Sequence, residues 1–545
     1  MFNASPYETA VLSKSTIVPS DHQQLYRDGD TMRFEIPSFM SYVDARQTYL
    51  KFRINIQDNA LTNHIRLKLD PKVGAQGVID RIRIYDGNNT IQLENLENYA
   101  ERVALTNHYS ENQSILAKRE LTEGVETTTN FANGQFFNAY APDLTPVNTV
   151  INQNPNSLEI CLPLHSGILG PSNKKLFPVE LFDGLRMEID LNKAGKFLKN
   201  FSPMGLATDV GGLPFANSVA ITNAIPSANL ECWGTSVAND ETVTETSSTT
   251  NMSNIKIGDT VSGIVADGTV QLLGTVASFE IRPSVLPYAS PHTRITLTAP
   301  YAPIAGPTKV LPIWTTAGDP LGQIFITSSQ YNNNVPRVEI QDVELIVKQV
   351  VPPAGLMKQY ADAVQTEQGV QIDITTFETY RNNIQASETV SQVQIPSYNR
   401  RAKSVLCLPM NNQNAENLTT DNLSTTLDNI KEYQFYINGQ PQPTRAVATA
   451  DLSKTIPTCN QVALWELTKS LASSGIGVRK LDAPEKHFAI GRSLAKQGGV
   501  YNLKDVGGLA LKQEYTGAVV NKLLITYVGS LRRLVVNASG KVVEL

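Results

Sequence analysis

The sequence predicts an all-β chain built from two consecutive β-sandwiches. Three observations carry that expectation: apolar residues alternate with polar ones at period two, helical stretches are few, and four landmarks occur twice in the same order. Its 545 residues are long enough for two large β units or three average domains.

Alternation begins in "TMRFEIPSF", where Met32, Phe34 and Ile36 point one way and Arg33 and Glu35 the other. It recurs in "LKFRINIQ", with Leu50, Phe52, Ile54 and Ile56 opposite Lys51, Arg53, Asn55 and Gln57, as expected of a strand with one buried and one wet face. "DRIRIYDGNN" reads as a strand, Ile82 and Ile84 inward, that ends in a turn at Asp86-Gly87, where glycine is expected to supply a positive φ. "LENLENYAERVAL" reads as a helix with Leu96, Tyr99 and Val103 on an apolar stripe and Glu94, Glu97 and Glu101 on a solvated face. "LFPVELFDGLRMEIDL" alternates again through Leu185, Met187, Ile189 and Leu191.

Residues 195–335 change character, with the Thr/Ser-rich "NDETVTETSSTTNMSN", Gly-punctuated short strands and the Pro-rich "LTAPYAPIAGP", and are expected to form an elaborated loop region. In "PRVEIQDVELIVKQV" the inward parity changes between Ile340 and Val343, which a bulge at Gln341-Asp342 would reconcile. "VPPAGLMKQ" then reads as a linker.

Beyond the linker the landmarks return. "VQIPSY" repeats the Ile-Pro-Ser-aromatic knot of Ile36-Pro37-Ser38-Phe39 at Ile395-Pro396-Ser397-Tyr398. "EYQFYINGQPQP" repeats the strand that ends in an x-Gly turn, here Asn438-Gly439. "QVALWELTKSLASSG" repeats the helix, with Leu464, Leu467 and Leu471 on one stripe, and "GAVVNKLLITYVGSLRRLVVN" repeats the closing strand. Proline cannot donate within a ladder, so each knot is expected at the corner where a first strand hands over to the next. A third Ile-Pro-Ser, Ile225-Pro226-Ser227, lacks the aromatic.

Signals for chemistry are missing. The six histidines form no H-x-H or H-E-x-x-H, and no phosphate-binding glycine loop or nucleophile elbow occurs. His165 and Cys161, four apart on an extended segment, would be about 13 Å apart. We therefore expect no catalytic residues, no cofactor, no metal and no enzymatic activity. Cys161, Cys232, Cys407 and Cys459 have no C-x-x-C spacing and are expected to be free thiols of a protein made in a reducing cell interior. No signal-peptide pattern opens the sequence, and no apolar run is long enough to span a membrane, so a soluble product is expected. The formal charge of −5, from 46 basic and 51 acidic residues, gives no basic footprint, and no direct sequence-specific nucleic acid binding is expected.

In order and pattern, "IPSF", "YLKFRINI", "IDRIRIYDGNNTIQLENLENY", "LPLHSGILG", "LFPVELFDGLRMEIDL", "VEIQDVELIVKQV" and "YQFYINGQPQP" resemble the double jelly-roll major capsid proteins of large eukaryotic DNA viruses, virophages, Polinton-like viruses and adenovirus hexons. The resemblance implies two consecutive eight-stranded jelly-roll β-sandwiches with long loop insertions and a few short helices. It divides the chain into an N-terminal arm at 1–28, a first jelly roll at 29–350 with loop or tower insertions at 195–335, a linker at 351–365 and a second jelly roll at 366–545. It further implies a structural protein of the virion shell that forms homotrimers, pseudo-hexagonal capsomers and an icosahedral lattice, with penton and minor or cement capsid proteins as further partners. A two-domain carbohydrate-binding or carbohydrate-active β-sandwich protein is the alternative, and a cupin-type enzyme ranks behind it for want of the histidine motif.

Overall fold

The computed structural model describes residues 12–57 apart from 22–24, residues 67–124 apart from 71 and several positions after 110, and residues 157–200 apart from 172–175. It also describes six strand segments between 218 and 327, and 337–544 apart from short stretches. The low-complexity segment and the third Ile-Pro-Ser lie outside the described residues.

Sixteen strands make two rolls. In the first they are β1 (Leu12–Pro19), β2 (Thr31–Pro37), β3 (Tyr49–Gln57), β4 (Ile79–Asp86), β5 (Gln92–Leu96), β6 (Ser157–Pro163), β7 (Gly184–Leu191) and β8 (Arg337–Val351). In the second they are β9 (Val370–Ile384), β10 (Val390–Ile395), β11 (Ala402–Asn411), β12 (Ile430–Ile437), β13 (Gln440–Ala448), β14 (Ile490–Ser493), β15 (Leu509–Tyr515) and β16 (Lys522–Asn537). The first roll's sheets run 1-8-3-6 and 2-7-4-5, and the second's run 9-16-11-14 and 10-15-12-13. Adding eight to each strand number of the first roll gives the second, and both are jelly rolls of two four-stranded layers, with short extra strands at some edges. Helices α1 (Tyr99–Ser110) and α3 (Gln461–Ser473) follow β5 and β13 at matching places, and α2 (Ala354–Val364) joins the rolls with no buried side chain.

Alternation fills each sandwich. Met32, Phe34 and Ile36 of β2, Leu50, Phe52 and Ile54 of β3, Ile82 and Ile84 of β4 and Met187 and Ile189 of β7 are all buried in the first core. The expected bulge in β8 is present: the pairing with β3 shifts between Gln341 and Glu344, and Asp342 takes φ 52°. Val338, Ile340, Val343, Leu345 and Val347 consequently all reach the core.

Several expectations are corrected. Residues 12–19, assigned to the arm, form β1, paired with β8 along its whole length. Its sequence LSKSTIVP shows no alternation because Lys14 and Thr16, polar residues, share the parity of the buried Val18, while the apolar Ile17 lies on the exposed face. The knots therefore close the second strand of each roll rather than the first, but at equivalent corners: Ile36 lies opposite Leu185, and Ile395 opposite Leu509. Gly184 (φ 105°) and Gly508 (φ 117°) begin or immediately precede the partner strand in each roll. The 195–335 region, expected as loops with short strands, contains a six-stranded antiparallel sheet of Ser218–Ala220, Asn229–Trp233, Thr260–Ile264, Val270–Arg282, His292–Leu297 and Gln323–Thr327.

The two x-Gly turns use glycine for different reasons. At Asn438-Gly439 both residues take positive φ, 52° and 70°, as a tight hairpin demands. In the first roll Asn89 takes the positive φ (55°), and Gly87 supplies space instead, since a Cβ there would lie 2.1 Å from the Asp183 carbonyl oxygen. Gly87→Ala is accordingly expected to lower stability by about 1–3 kcal/mol through overpacking, and Gly439→Ala by about 1–2 kcal/mol through backbone conformation alone. Urea denaturation of the two variants against wild type checks both the losses and their order.

Candidate functional site

The two rolls meet along a buried seam, and its chemistry is structural. The outer face of the second roll's 9-16-11-14 sheet is apolar: Phe377, Leu406, Leu408, Met410, Ile525 and Tyr527 are buried there with Leu467 and Leu471 of α3 and with Leu105 and Tyr109 of α1. Strand β16 is thus buried on both faces, Leu524 and Val528 inside the sandwich and Ile525 and Tyr527 in the seam. A sheet so covered needs a cover, and the first roll supplies part of it.

Several polar groups are matched across the seam. The Glu94 carboxylate, buried in the middle of β5, accepts hydrogen bonds from the Ser166 hydroxyl (2.5 Å), the Gly167 N–H (2.8 Å) and, from the other roll, the Thr376 hydroxyl (3.0 Å). Arg381 donates to the Asn98 side chain (2.5 Å), Tyr527 donates to the Asn98 carbonyl (2.8 Å), and Thr379 donates to the Glu97 carbonyl (3.1 Å). The buried Arg532 donates to the Leu93 carbonyl (3.0 Å). The Arg102 guanidinium sits 5.0 Å from the Phe377 ring centre and 5.5 Å from that of Tyr99. At Gly167 a Cβ would come 2.3 Å from the Thr375 carbonyl oxygen, so glycine there sets how closely the rolls approach. Near the knots, Lys541 of the C-terminal strand Gly540–Glu544 reaches Asp86 (3.1 Å) and Asp183 (2.6 Å) of the first roll.

The expected solvated carboxylate face is overturned. Glu94 lies on β5 rather than on the helix, which starts at Tyr99 after Asn98 at φ 51°, and Glu101 is buried and paired with Lys196 at 2.7 Å. The partners that make this burial tolerable lie about 70 to 280 residues away and leave no local signal. Cys161 and His165 are not brought together: Cys161 lies near Lys51 and Glu159, whereas His165 is buried with its ring edge-on to Tyr99. Burial pushes the Cys407 thiol up to about 12, and that of Cys161 upward, so both are held in the thiol form. Among the described residues no cluster of His, Cys, Asp and Glu could hold a metal, and no helix is long and apolar enough to cross a membrane.

Removing the Glu94 side chain leaves the Ser166, Gly167 and Thr376 donors buried without it, so Glu94→Ala is expected to lose on the order of 3 kcal/mol in urea unfolding. Burial pushes the His165 imidazole down to about 3, with the charges of Arg102 and Arg119 acting in the same direction. The unfolded chain takes up this proton below about pH 6.5, whereas the folded chain resists it until about 3. This contribution to stability is therefore complete above pH 6.5 and declines as pH falls towards 3, by at most about 1.4 kcal/mol per pH unit. Unfolding midpoints at about pH 7 and about pH 5 should differ more for wild type than for His165→Gln.

No protein-family model matches the chain, and neither does any curated protein sequence. Solved structures do match over nearly the full length. The Faustovirus major capsid protein is 9% identical, with 98% of this chain and 93% of that chain covered at a TM-score of 0.50. The PBCV-1 virus capsid is 9% identical, with 98% and 97% covered at 0.48, and the mavirus major capsid protein is 10% identical, with 100% and 92% covered at 0.34. Two eight-stranded rolls of identical strand order, welded by a buried seam and superposable over nearly its whole length on the Faustovirus protein, give this chain the double jelly-roll fold.

Proposed function

We propose that this chain is a major capsid protein, a structural component of an icosahedral virion shell and not an enzyme. The observation that carries the reading is the duplication itself. Two rolls with the same strand orders stand side by side, locked by apolar packing and matched hydrogen bonds into one block with two near-equivalent surfaces. The likeness to the Faustovirus major capsid protein, extending over nearly all of both chains, supports it.

On this reading three copies form a pseudo-hexagonal capsomer, and capsomers tile the shell, with large heterologous interfaces and avidity across the lattice. The 195–335 region, with its own sheet between β7 and β8, builds an outward tower or clasps a neighbouring subunit; of the expected arm at 1–28, residues 1–11 lie outside the described residues. Penton and minor or cement proteins complete the shell. The packing of Arg102, Arg532 and Lys541 into the seam uses cations for folding rather than for a genome contact.

The purified full-length chain is expected to run as a trimer in light-scattering chromatography and to show hexagonal outlines in negative stain. A monomer that binds glycans or hydrolyses them would overturn the reading.

A further inference from the structure

The C-terminal strand Gly540–Glu544 lies outside the eight-strand plan. Strand β16 runs past the end of β11: residues 522–530 pair with β11, and Arg533–Asn537 pair instead with the C-terminal strand, Leu534 opposite Val543 and Val536 opposite Lys541. In the first roll the matching lane beside β8 is filled by the chain on its way from β2 to β3, with Val43 opposite Gln349 and Tyr42 opposite Val350. The connection from β10 to β11 is shorter, residues 396–401 against 38–48, and leaves that lane to the end of the chain. The two fillings differ in one physical respect. A connection is tethered at both ends, whereas a terminal strand can leave its lane without disturbing the strand order of either roll.

The hold of this strand on the second roll is slight. None of its five residues is buried, Val542 is 50% exposed, and among the described residues no strand pairs with its other edge. Its hold on the first roll is more specific. The Lys541 ammonium sits between the fully buried Asp86 carboxylate (3.1 Å) and that of Asp183 (2.6 Å). Both acids belong to the knot end of the first roll, since Leu185 lies opposite Asp86 and Gly184 opposite Pro37. Val543, two residues beyond Lys541 and on the same face, packs against the first core.

The socket for the lysine is built without it. The Asp86 carboxylate accepts from the Thr90 N–H (2.7 Å), the Thr90 hydroxyl (2.8 Å) and the Ile91 N–H (2.9 Å), which fixes the β4–β5 turn, and Asp183 accepts from the Asn88 side chain (3.0 Å). The middle of the seam has its own bonds, from Thr376 to Glu94 and from Arg381 and Tyr527 to Asn98. Neither the socket nor the middle of the seam needs the strand.

We propose that the C-terminal strand is a detachable latch on the joint between the two rolls. With Lys541 seated between Asp86 and Asp183, the latch fastens the knot end of the seam. With Lys541 withdrawn, the strand peels from β16 while both sandwiches and the middle of the seam stay folded, a local opening of the kind that weakly buried elements undergo. Opening bares the backbone edge of Arg533–Asn537 and leaves two neighbouring carboxylates without their shared cation. The inference concerns how the rolls are joined and is independent of the capsid reading.

Hydrogen exchange followed by mass spectrometry on the full-length chain tests the latch. In wild type the amides of residues 540–544 are expected to exchange faster than those of residues 522–530, because the strand opens without the sheet. Lys541→Met keeps the apolar stem and removes the charge, and it should speed exchange at 540–544 by about ten- to a hundredfold, the effect of losing a charge-assisted hydrogen bond, with 522–530 unchanged. Lys541→Arg should stay close to wild type. Asp183→Asn should act in the same direction as Lys541→Met and add nothing to it in the double variant, since both remove one contact. Equal exchange at 540–544 and 522–530 in wild type would mean that the strand opens only with the whole sheet, and the latch is then ruled out. The proposal also fails if Lys541→Met leaves 540–544 unchanged, if it speeds 522–530 to the same extent, or if the Asp183→Asn effect is fully additive with it.

Discussion

The constraint on which the structure depends is that the middle of one sheet of the second roll is buried on both faces. Phe377, Leu406, Leu408, Met410, Ile525 and Tyr527 would lose the part of their cover that Leu105 and Tyr109 provide if the rolls were separated, and burial of such side chains is worth roughly 1.5–3 kcal/mol each. The first roll is therefore part of the second roll's fold. Once that face is covered, each polar group trapped with it needs a partner, and the seam supplies Glu94 to Thr376, Asn98 to Arg381 and Tyr527, and Leu93 to Arg532. The apolar part makes the union favourable. The polar part fixes one relative placement, since a shift of one residue along β9 would leave several buried groups unpaired.

Duplication of the strand plan did not keep the two rolls chemically alike. The equivalent outer face in the first roll carries Lys51, Arg53, Glu159, Glu344 and Asp342 in a surface lattice of ion pairs 3.4 to 4.0 Å long. Exposed pairs of this kind contribute little to stability, so that face tolerates water where its counterpart does not. One plan thus yields a dry face joined within the chain and a mixed face open at its surface.

The strands most legible in the sequence are those with one wet face. Met32, Phe34 and Ile36, or Leu50, Phe52 and Ile54, announce themselves because inward and outward residues differ in polarity. Even the β8 bulge could be read, since Ile340 and Val343 break parity. Strand β1 could not, because its burial depends on pairing with a segment more than 300 residues later. Strand β16 is legible only in part: Leu524 and Val528 fill its own sandwich, but the burial of Ile525 and Tyr527 on the opposite face becomes intelligible only with the first roll in place. The candidate site was the least legible, because Glu94 resembles any surface glutamate until its distant donors are known.

Strand direction alternates through each roll, so successive connections leave from opposite ends. The knots, the β4–β5 turn and the start of β7 share one end, as the pairing of Gly184 with Pro37 and of Leu185 with Asp86 requires. The connections between β3 and β4, β5 and β6, and β7 and β8 leave from the other end, and they account for most of the residues outside the strands of the first roll. Most of the non-strand length of the first roll is therefore attached at one end of its strands. Lengthening a connection costs only a slowly growing loop-closure entropy and leaves sheet register untouched. A lineage with this architecture can remodel the face it presents at that pole, or carry passenger sequence there, while the opposite pole inherits an almost fixed geometry.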